Sequence, residues 1–137
     1  MPDFTKLAVT IGALLQAFRV ATSDELPLQV ASTFMLVVAE PGIPVADLVK
    51  QAGKAPSSVS RHLQMLGNMD RGGKIGYGLL ELEEDYHDSR RKLVFLTPAG
   101  DKFVEQLLIK LTGDASIKFE TPRAREYRLQ ISKARYA

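Results

Sequence analysis

Apolar side chains recur at steps of three and four along the N-terminal stretch: Phe4, Leu7, Ala8, Ile11, Leu14, Leu15 and Phe18. That spacing gathers them on one stripe of a helix predicted from about Asp3 to Val20. Ser23 to Leu26 interrupts the pattern, and Pro27 suits the first turn of a second helix, because its missing N–H would have no partner there. Val30, Phe34, Val37 and Val38 form the buried face of that helix, and Pro41, Gly42 and Pro44 end it. Val45 to Ala52 reads as a short third helix with Leu48, Val49 and Ala52 inward and Gly53 at its C-cap. Only Lys54 and Ala55 follow before Pro56 opens another helix. Two short helices on so tight a glycine-containing turn have the sequence form of a helix-turn-helix.

In the helix from Pro56, Val59, Leu63 and Leu66 fall in a narrow arc, while Ser57, Arg61 and Gln64 point the other way with Ser60 at the edge. Glycine then dominates Gly67 to Gly78, the one break in composition. Leu79 to Glu83 alternates as a strand does, Glu84 to Ser89 is polar, and Arg91 to Leu96 is rich in strand-forming side chains, so a β-hairpin is predicted. Thr97 caps a helix with Pro98 at its first position; Phe103, Val104, Leu107, Leu108 and Leu111 are its buried stripe and Gly113 ends it. The tail fits one more helix, with Thr121 as cap, Pro122 next, and Ala124, Tyr127, Ile131 and Ala134 on one side; a disordered basic extension is the alternative.

The composition fits one globular domain: 137 residues, 45% hydrophobic and 25% charged, which excludes disorder as the main state. A chain of this length buries enough surface to fold without disulfide or metal. With no cysteine there is no thiolate nucleophile, cysteine-ligated zinc or disulfide frame. The net charge of +2 is too slight to argue for a polyanion partner, although residues 113 to 137 carry +3 and the rest −1. Apolar runs are too short to span a bilayer, and the N-terminus lacks the form of a secretory signal, so a cytoplasmic protein without membrane contact is expected.

Helix, helix, helix-turn-helix, hairpin, helix is the winged-helix order, in which one helix enters the major groove and the hairpin tip reaches the neighbouring backbone or minor groove. The segment Asp88-Ser89-Arg90-Arg91-Lys92-Leu93-Val94-Phe95-Leu96-Thr97-Pro98-Ala99-Gly100 resembles the wing signature of the MarR family, D-x-R-x-x-x-V-x-L-T-x-x-G, at every fixed position. Pro56-Ser57-Ser58-Val59-Ser60-Arg61 is similar to the start of that family's recognition helix, and the resemblance covers about residues 26 to 112. It implies a mainly α fold with a small β-hairpin wing: a single domain over 1–137, with 26–97 as the DNA-binding lobe and 1–22 and 98–137 as dimerisation helices. It implies, further, a dimeric transcription regulator, mostly a repressor, that binds double-stranded DNA at a pseudo-palindromic operator. Family members often respond to a small phenolic or lipophilic effector between the dimer helices and the DNA-binding lobes; no residue here names one.

The expected DNA-binding residues are Lys54, Ser57, Ser58, Ser60, Arg61 and Gln64 on the recognition helix and its turn, and Asp88, Ser89, Arg90 and Arg91 on the wing. In the family the acid equivalent to Asp88 orients the arginine. The expected dimer seam takes Phe4, Leu7, Ile11, Leu14 and Phe18, with Tyr127 and Ile131 from the tail. Each has a plainer reading: a solvated helix face, an Asp88–Arg90 pair across a turn, a stripe packed within its own subunit. Two features depart from the family pattern. The loop from Gly67 to Gly78 is some eight residues longer and is expected to be mobile, and the first wing strand carries Glu81, Glu83, Glu84 and Asp85, which would repel phosphate.

Catalysis finds little support. Gly67 to Lys74 is similar to a phosphate loop, but Asn68 stands where its first glycine belongs and Ile75 where Ser or Thr would bind magnesium. His62 flanks the apolar helix face, where a lone histidine is more often packed or hydrogen-bonded than a metal ligand, and His87 lies near Asp85 and Asp88 without a helix-borne partner at ligand spacing. No enzyme, cofactor or metal is expected. Two other functions stay open beside the regulator: a protein-interaction adaptor using the acidic strand and glycine loop, and a DNA-binding module for replication or partition of a mobile element.

Overall fold

A computed structural model describes residues 3–22, 26–67 and 76–127, and at its centre three phenylalanines from three helices meet. Phe18 lies edge-on to Phe34 and to Phe103, with ring centroids 6.0 and 5.1 Å away, and Phe34 is 5.7 Å from Phe103. They join α1 (Phe4–Ala21), α2 (Leu28–Ala39) and α5 (Pro98–Thr112). Edge-to-face pairs of this kind add to what burial alone contributes. Phe18 therefore belongs to its own subunit's core and not to a dimer seam, a correction to the expectation from spacing. Leu14 is half-buried against the same cluster.

Asp3 caps α1 by accepting the Lys6 amide at 3.1 Å. Pro27 occupies the N-cap of α2 with extended backbone instead of its first turn. The helix-turn-helix matches the sequence expectation: α3 (Val45–Ala52), Gly53 in the left-handed region at φ 63°, then α4 (Pro56–Leu66) with Pro56 in its first turn.

The sheet differs from the expected hairpin. Ile43 and Pro44 form an edge strand, β1, antiparallel to β3, so the order is β1-β3-β2. Pro44 is tolerated there because an edge residue needs no N–H for a further strand. The hairpin strands are also longer than expected: β2 covers Leu80–Asp85, β3 covers Asp88–Leu96, and the turn is Tyr86-His87. Their register runs from Leu80↔Leu96 to Glu84↔Lys92 and then slips to Asp85↔Asp88, so that Ser89, Arg90 and Arg91 bulge out of the ladder. Polar residues read as loop are strand here because they pair across it, as Lys92 does with Glu84 at 3.0 Å.

The glycine-rich segment starts and ends in ordered contact. Tyr77, Gly78 and Leu79 donate their amides to Met65, Gly67 and Leu66, so the ends of the excursion are zipped together, and Tyr77 packs against the core. A Cβ on Gly76 would stand 2.1 Å from the Gly67 carbonyl oxygen, which only glycine permits. The expected mobility, with Arg71 and Lys74, concerns positions outside the described residues. Thr97 closes the same neck: it caps α5 at the Gly100 amide and donates its hydroxyl to the Gly78 carbonyl at 2.6 Å.

The tail departs most. Residues 113–127 turn back across the sheet of their own chain, where Ala124 and Tyr127 pack on Leu93 and Phe95. Tyr127, expected at a dimer seam, is thus an intramolecular contact; Ile131 lies outside the described residues. The expected tail helix does begin, at Ala124, where the Tyr127 amide donates to the Arg123 carbonyl, but Thr121 does not cap it, because its amide and hydroxyl both bind Asp101. Among the described residues no helix is long and apolar enough to cross a membrane.

Candidate nucleic-acid interface

Helix α4 rests on its apolar side. Val59, Leu63 and Leu66 are buried, and so is His62, whose Nδ1 lies 2.8 Å from Thr33 Oγ1 in α2. His62 is packed and hydrogen-bonded, as a lone histidine in that place should be. Its pKa is lowered from the ordinary imidazole value, first by burial and then by the positive charges of Lys54 and Arg61.

The opposite side of α4 presents Ser57 and Arg61 to solvent, with Lys54 exposed in the preceding turn. Ser58, Ser60 and Gln64 are half-buried, and Ser60 and Gln64 turn into a cleft between α3, α4 and the hairpin. No side chain caps α4, so its positive end is not neutralised by an acidic residue of the first turn. A face with one long cation, small hydroxyls and a helix N-terminus suits a groove floor and its flanking phosphates.

Across the cleft, the bulge in β3 aims the wing residues. Arg90 projects furthest, with 90% of its side chain exposed, and Asp88 Oδ1 holds it by accepting both its backbone amide at 3.1 Å and its Nε at 3.2 Å. Ser89 is exposed beside it. Arg91 behaves differently: its guanidinium bridges Asp85 at 3.5 Å and Asp47 of α3 at 3.7 Å, so it ties the hairpin to the helix-turn-helix. Sequence spacing had placed Arg91 with the DNA contacts; nothing in the spacing could reveal Asp47 as its partner.

The cleft has a volume of about 1140 Å³ and is lined by Val49, Leu63, Leu80 and Leu82 together with Lys50, Arg90, Lys92 and the acids Glu81 and Asp88. Glu81 and Glu83 oppose Phe95 and Leu93 in the ladder, and those two partners pack under Ala124 and Tyr127 on the sheet face away from α4. Strand alternation therefore sends the side chains of Glu81 and Glu83 to the face remote from α4, although Glu81 also borders the cleft. Among the described residues no group of three or more His, Cys, Asp or Glu side chains could hold a metal ion.

The first helix leaves much of its stripe uncovered. Phe4 is 69% exposed and Ile11 56%, with Leu7 and Leu15 also exposed.

No protein-family model matches the chain, and no curated protein does. Solved structures do. The S. aureus MepR–DNA complex aligns over 97% of this chain and 95% of its own, with a TM-score of 0.59 at 17% identity. A mutant MarR from E. coli complexed with operator DNA aligns over 96% and 89%, with a TM-score of 0.54 at 16% identity. PcaV from Streptomyces coelicolor, in complex with its natural ligand, aligns over 88% and 80%, with a TM-score of 0.51 at 20% identity. The chain has the winged-helix fold that these transcription regulators share, a mainly helical body with a small three-stranded antiparallel sheet.

Proposed function

We propose that the chain is a sequence-specific regulator of transcription that binds double-stranded DNA. The observation that carries this reading is a pair of exposed arginines on adjoining elements: Arg61, with Ser57, on the outward face of α4, and Arg90, held by Asp88, on the bulged hairpin. One suits the major groove and the other a narrower groove beside it. That MepR and MarR are seen on DNA with this fold supports the reading.

The regulator works as a homodimer. Phe4, Leu7 and Ile11 form an apolar face that α5 and α2 of the same chain leave uncovered, and a second copy would remove it from water. Each such side chain contributes about 1.5 to 3 kcal/mol when fully buried. A twofold dimer sets two α4 helices on a pseudo-palindromic site, and a protein seated there represses by excluding polymerase. An amphipathic small molecule is a fitting effector, since PcaV is known with a natural ligand and the cleft here is lined by both apolar and charged side chains.

Glu81 and Glu83 lie on the sheet face remote from α4, so they do not oppose a duplex held against that helix. Selection of duplexes bound by the full chain from random sequence, followed by footprinting, tests the proposal. A recurrent motif with twofold symmetry and a protected stretch spanning both halves is expected; enrichment of no motif would overturn it.

A further inference from the structure

Residues 113–127 form a strap over the sheet face opposite α4, fastened at two ends. At the near end Asp101, 3% exposed, accepts the Thr121 amide at 2.8 Å, the Thr121 hydroxyl at 2.6 Å and Arg123 Nη2 at 2.7 Å. Arg123 Nη1 also donates to the Leu96 carbonyl at 3.2 Å, so the bond to buried Asp101 and this one together anchor the strap at the end of β3. At the far end the Tyr127 ring packs 5.9 Å from Phe95. Its hydroxyl accepts the Tyr86 amide at 3.2 Å, in the hairpin turn itself, and reaches Asp85 Oδ1 at 3.5 Å, the outer limit of a hydrogen bond.

Asp85 is the junction between the strap and the helix-turn-helix. It accepts the His87 amide at 3.0 Å, and its second oxygen faces Arg91 Nε, whose guanidinium continues to Asp47 on α3. The hairpin tip needs such support. Pairing with β1 stops at Leu93, the ladder slips beyond Glu84, and three residues bulge, so the tip that carries Arg90 is two-stranded and irregular. An isolated two-stranded ribbon is marginal in water.

We propose that Tyr127 is a positioning residue for the DNA-binding hairpin: by holding the Tyr86-His87 turn and Asp85, the C-terminal strap sets the Arg91–Asp47 bridge and hence the angle at which Arg90 meets DNA. This rests on the reading of α4 and the hairpin as a duplex-binding surface. A tip held in its bound geometry before binding loses less conformational freedom on the duplex, which raises affinity without any new contact.

The test uses the full chain and Tyr127→Phe, which keeps the ring on Phe95 and removes only the hydroxyl. Amide exchange in the DNA-free protein is expected to quicken at Tyr86. Affinity for a selected duplex should fall about three- to tenfold, the loss of one hydrogen bond. The salt dependence of binding should keep its slope, since no phosphate contact is lost. Asp85→Asn is the second variant, and the double variant should lose less than the two single losses together, because both act through one junction. If Tyr127→Phe binds the duplex as the parent does, or if its loss adds fully to that of Asp85→Asn, the proposal is overturned. A parent chain that binds no duplex defeats the underlying reading and this proposal with it, and Tyr86 exchange then separately shows whether the clasp exists.

Discussion

His62 Nδ1 and Thr33 Oγ1, 2.8 Å apart and both buried, join α4 to α2. The Thr33 hydroxyl also donates to the Gln29 carbonyl at 3.1 Å. One hydroxyl proton cannot serve both neighbours, so both contacts are satisfied when His62 carries its proton on Nδ1 and donates to Thr33. A second proton would then have to sit on Nε2, placing a full charge in a buried ring beside the cations Lys54 and Arg61.

That arrangement makes stability pH-dependent with a definite sign. The folded pKa of His62 lies below its unfolded value near 6.5, chiefly through burial. Its contribution is fully present above about pH 6.5 and is lost as the pH falls from there through the folded pKa. Denaturant midpoints of the parent should drop between pH 7.5 and 5 more than those of His62→Gln. Parallel profiles would show that the imidazole is not the titrating group.

Arg61 lies one position before His62 and points outward, so its removal disturbs no core contact. Arg61→Ala should weaken binding to a selected site by about 1 to 3 kcal/mol if it reads a base edge. Against a nonspecific duplex the loss should be smaller. Equal losses on both, with a shallower salt slope, would assign it to a phosphate instead.

The helix-turn-helix was legible to the residue because Gly53 and Pro56 punctuate it, and local punctuation is what a sequence displays. Contacts between distant segments were not. Thr33 and His62 are 29 positions apart, and neither has a pattern that names the other. Ile43-Pro44 is too short to alternate, so its pairing with Leu93 and Val94 had no signal. Glu84, Asp85 and Asp88 read as loop because charged residues disfavour strands, although Glu84 and Asp85 pair across the hairpin with Lys92 and Arg91, and Asp88 holds Arg90 in its own strand. For the tail, the spacing of Ala124 and Tyr127 did mark one apolar side; which surface that side would cover was undetermined, and in the structure Tyr127 packs on the chain's own sheet.

The exposed stripe of α1 gives the proposed dimer its test. Ile11→Glu places a charge in the centre of the uncovered face and touches no core residue of its own chain, being 56% exposed. The parent should sediment at twice the 15.1 kDa chain mass and the variant at 15.1 kDa with its helix content retained. An unchanged dimer would move the seam elsewhere.

Gly100 is the fixed glycine that ends the wing signature, and its place explains the requirement. A Cβ there would stand 2.2 Å from the Leu79 carbonyl oxygen, where the first turn of α5 crosses the root of β2. In an ordinary helix Gly→Ala stabilises by about 0.5 to 1 kcal/mol. Here the sign reverses, and Gly100→Ala should destabilise by about 1 to 3 kcal/mol as backbone must shift to admit the methyl. Chemical denaturation measures it; a more stable variant would mean that β2 and α5 are less closely apposed.

Arg90 and Asp88 carry the last prediction, because the wing makes opposite electrostatic demands within one hairpin. Asp88 fixes the guanidinium through Nε, leaving both terminal nitrogens free to point outward, while Glu81 and Glu83 face the other side of the sheet. A planar cation so presented gains most where the minor groove is narrow and its negative potential concentrated, as in A·T-rich flanks. Arg90→Ala should therefore lose more affinity on A·T-flanked than on G·C-flanked sites. Asp88→Asn keeps the cation but weakens the hold on it, and should reduce that preference for A·T flanks more than overall affinity. Glu81→Gln should raise affinity slightly and equally on both flanks, as a distant charge does. Anisotropy titrations of the three variants on matched duplexes compare these outcomes. Equal binding of parent and Arg90→Ala on both flanks would remove the hairpin from the interface and leave α4 as the only described element reading DNA.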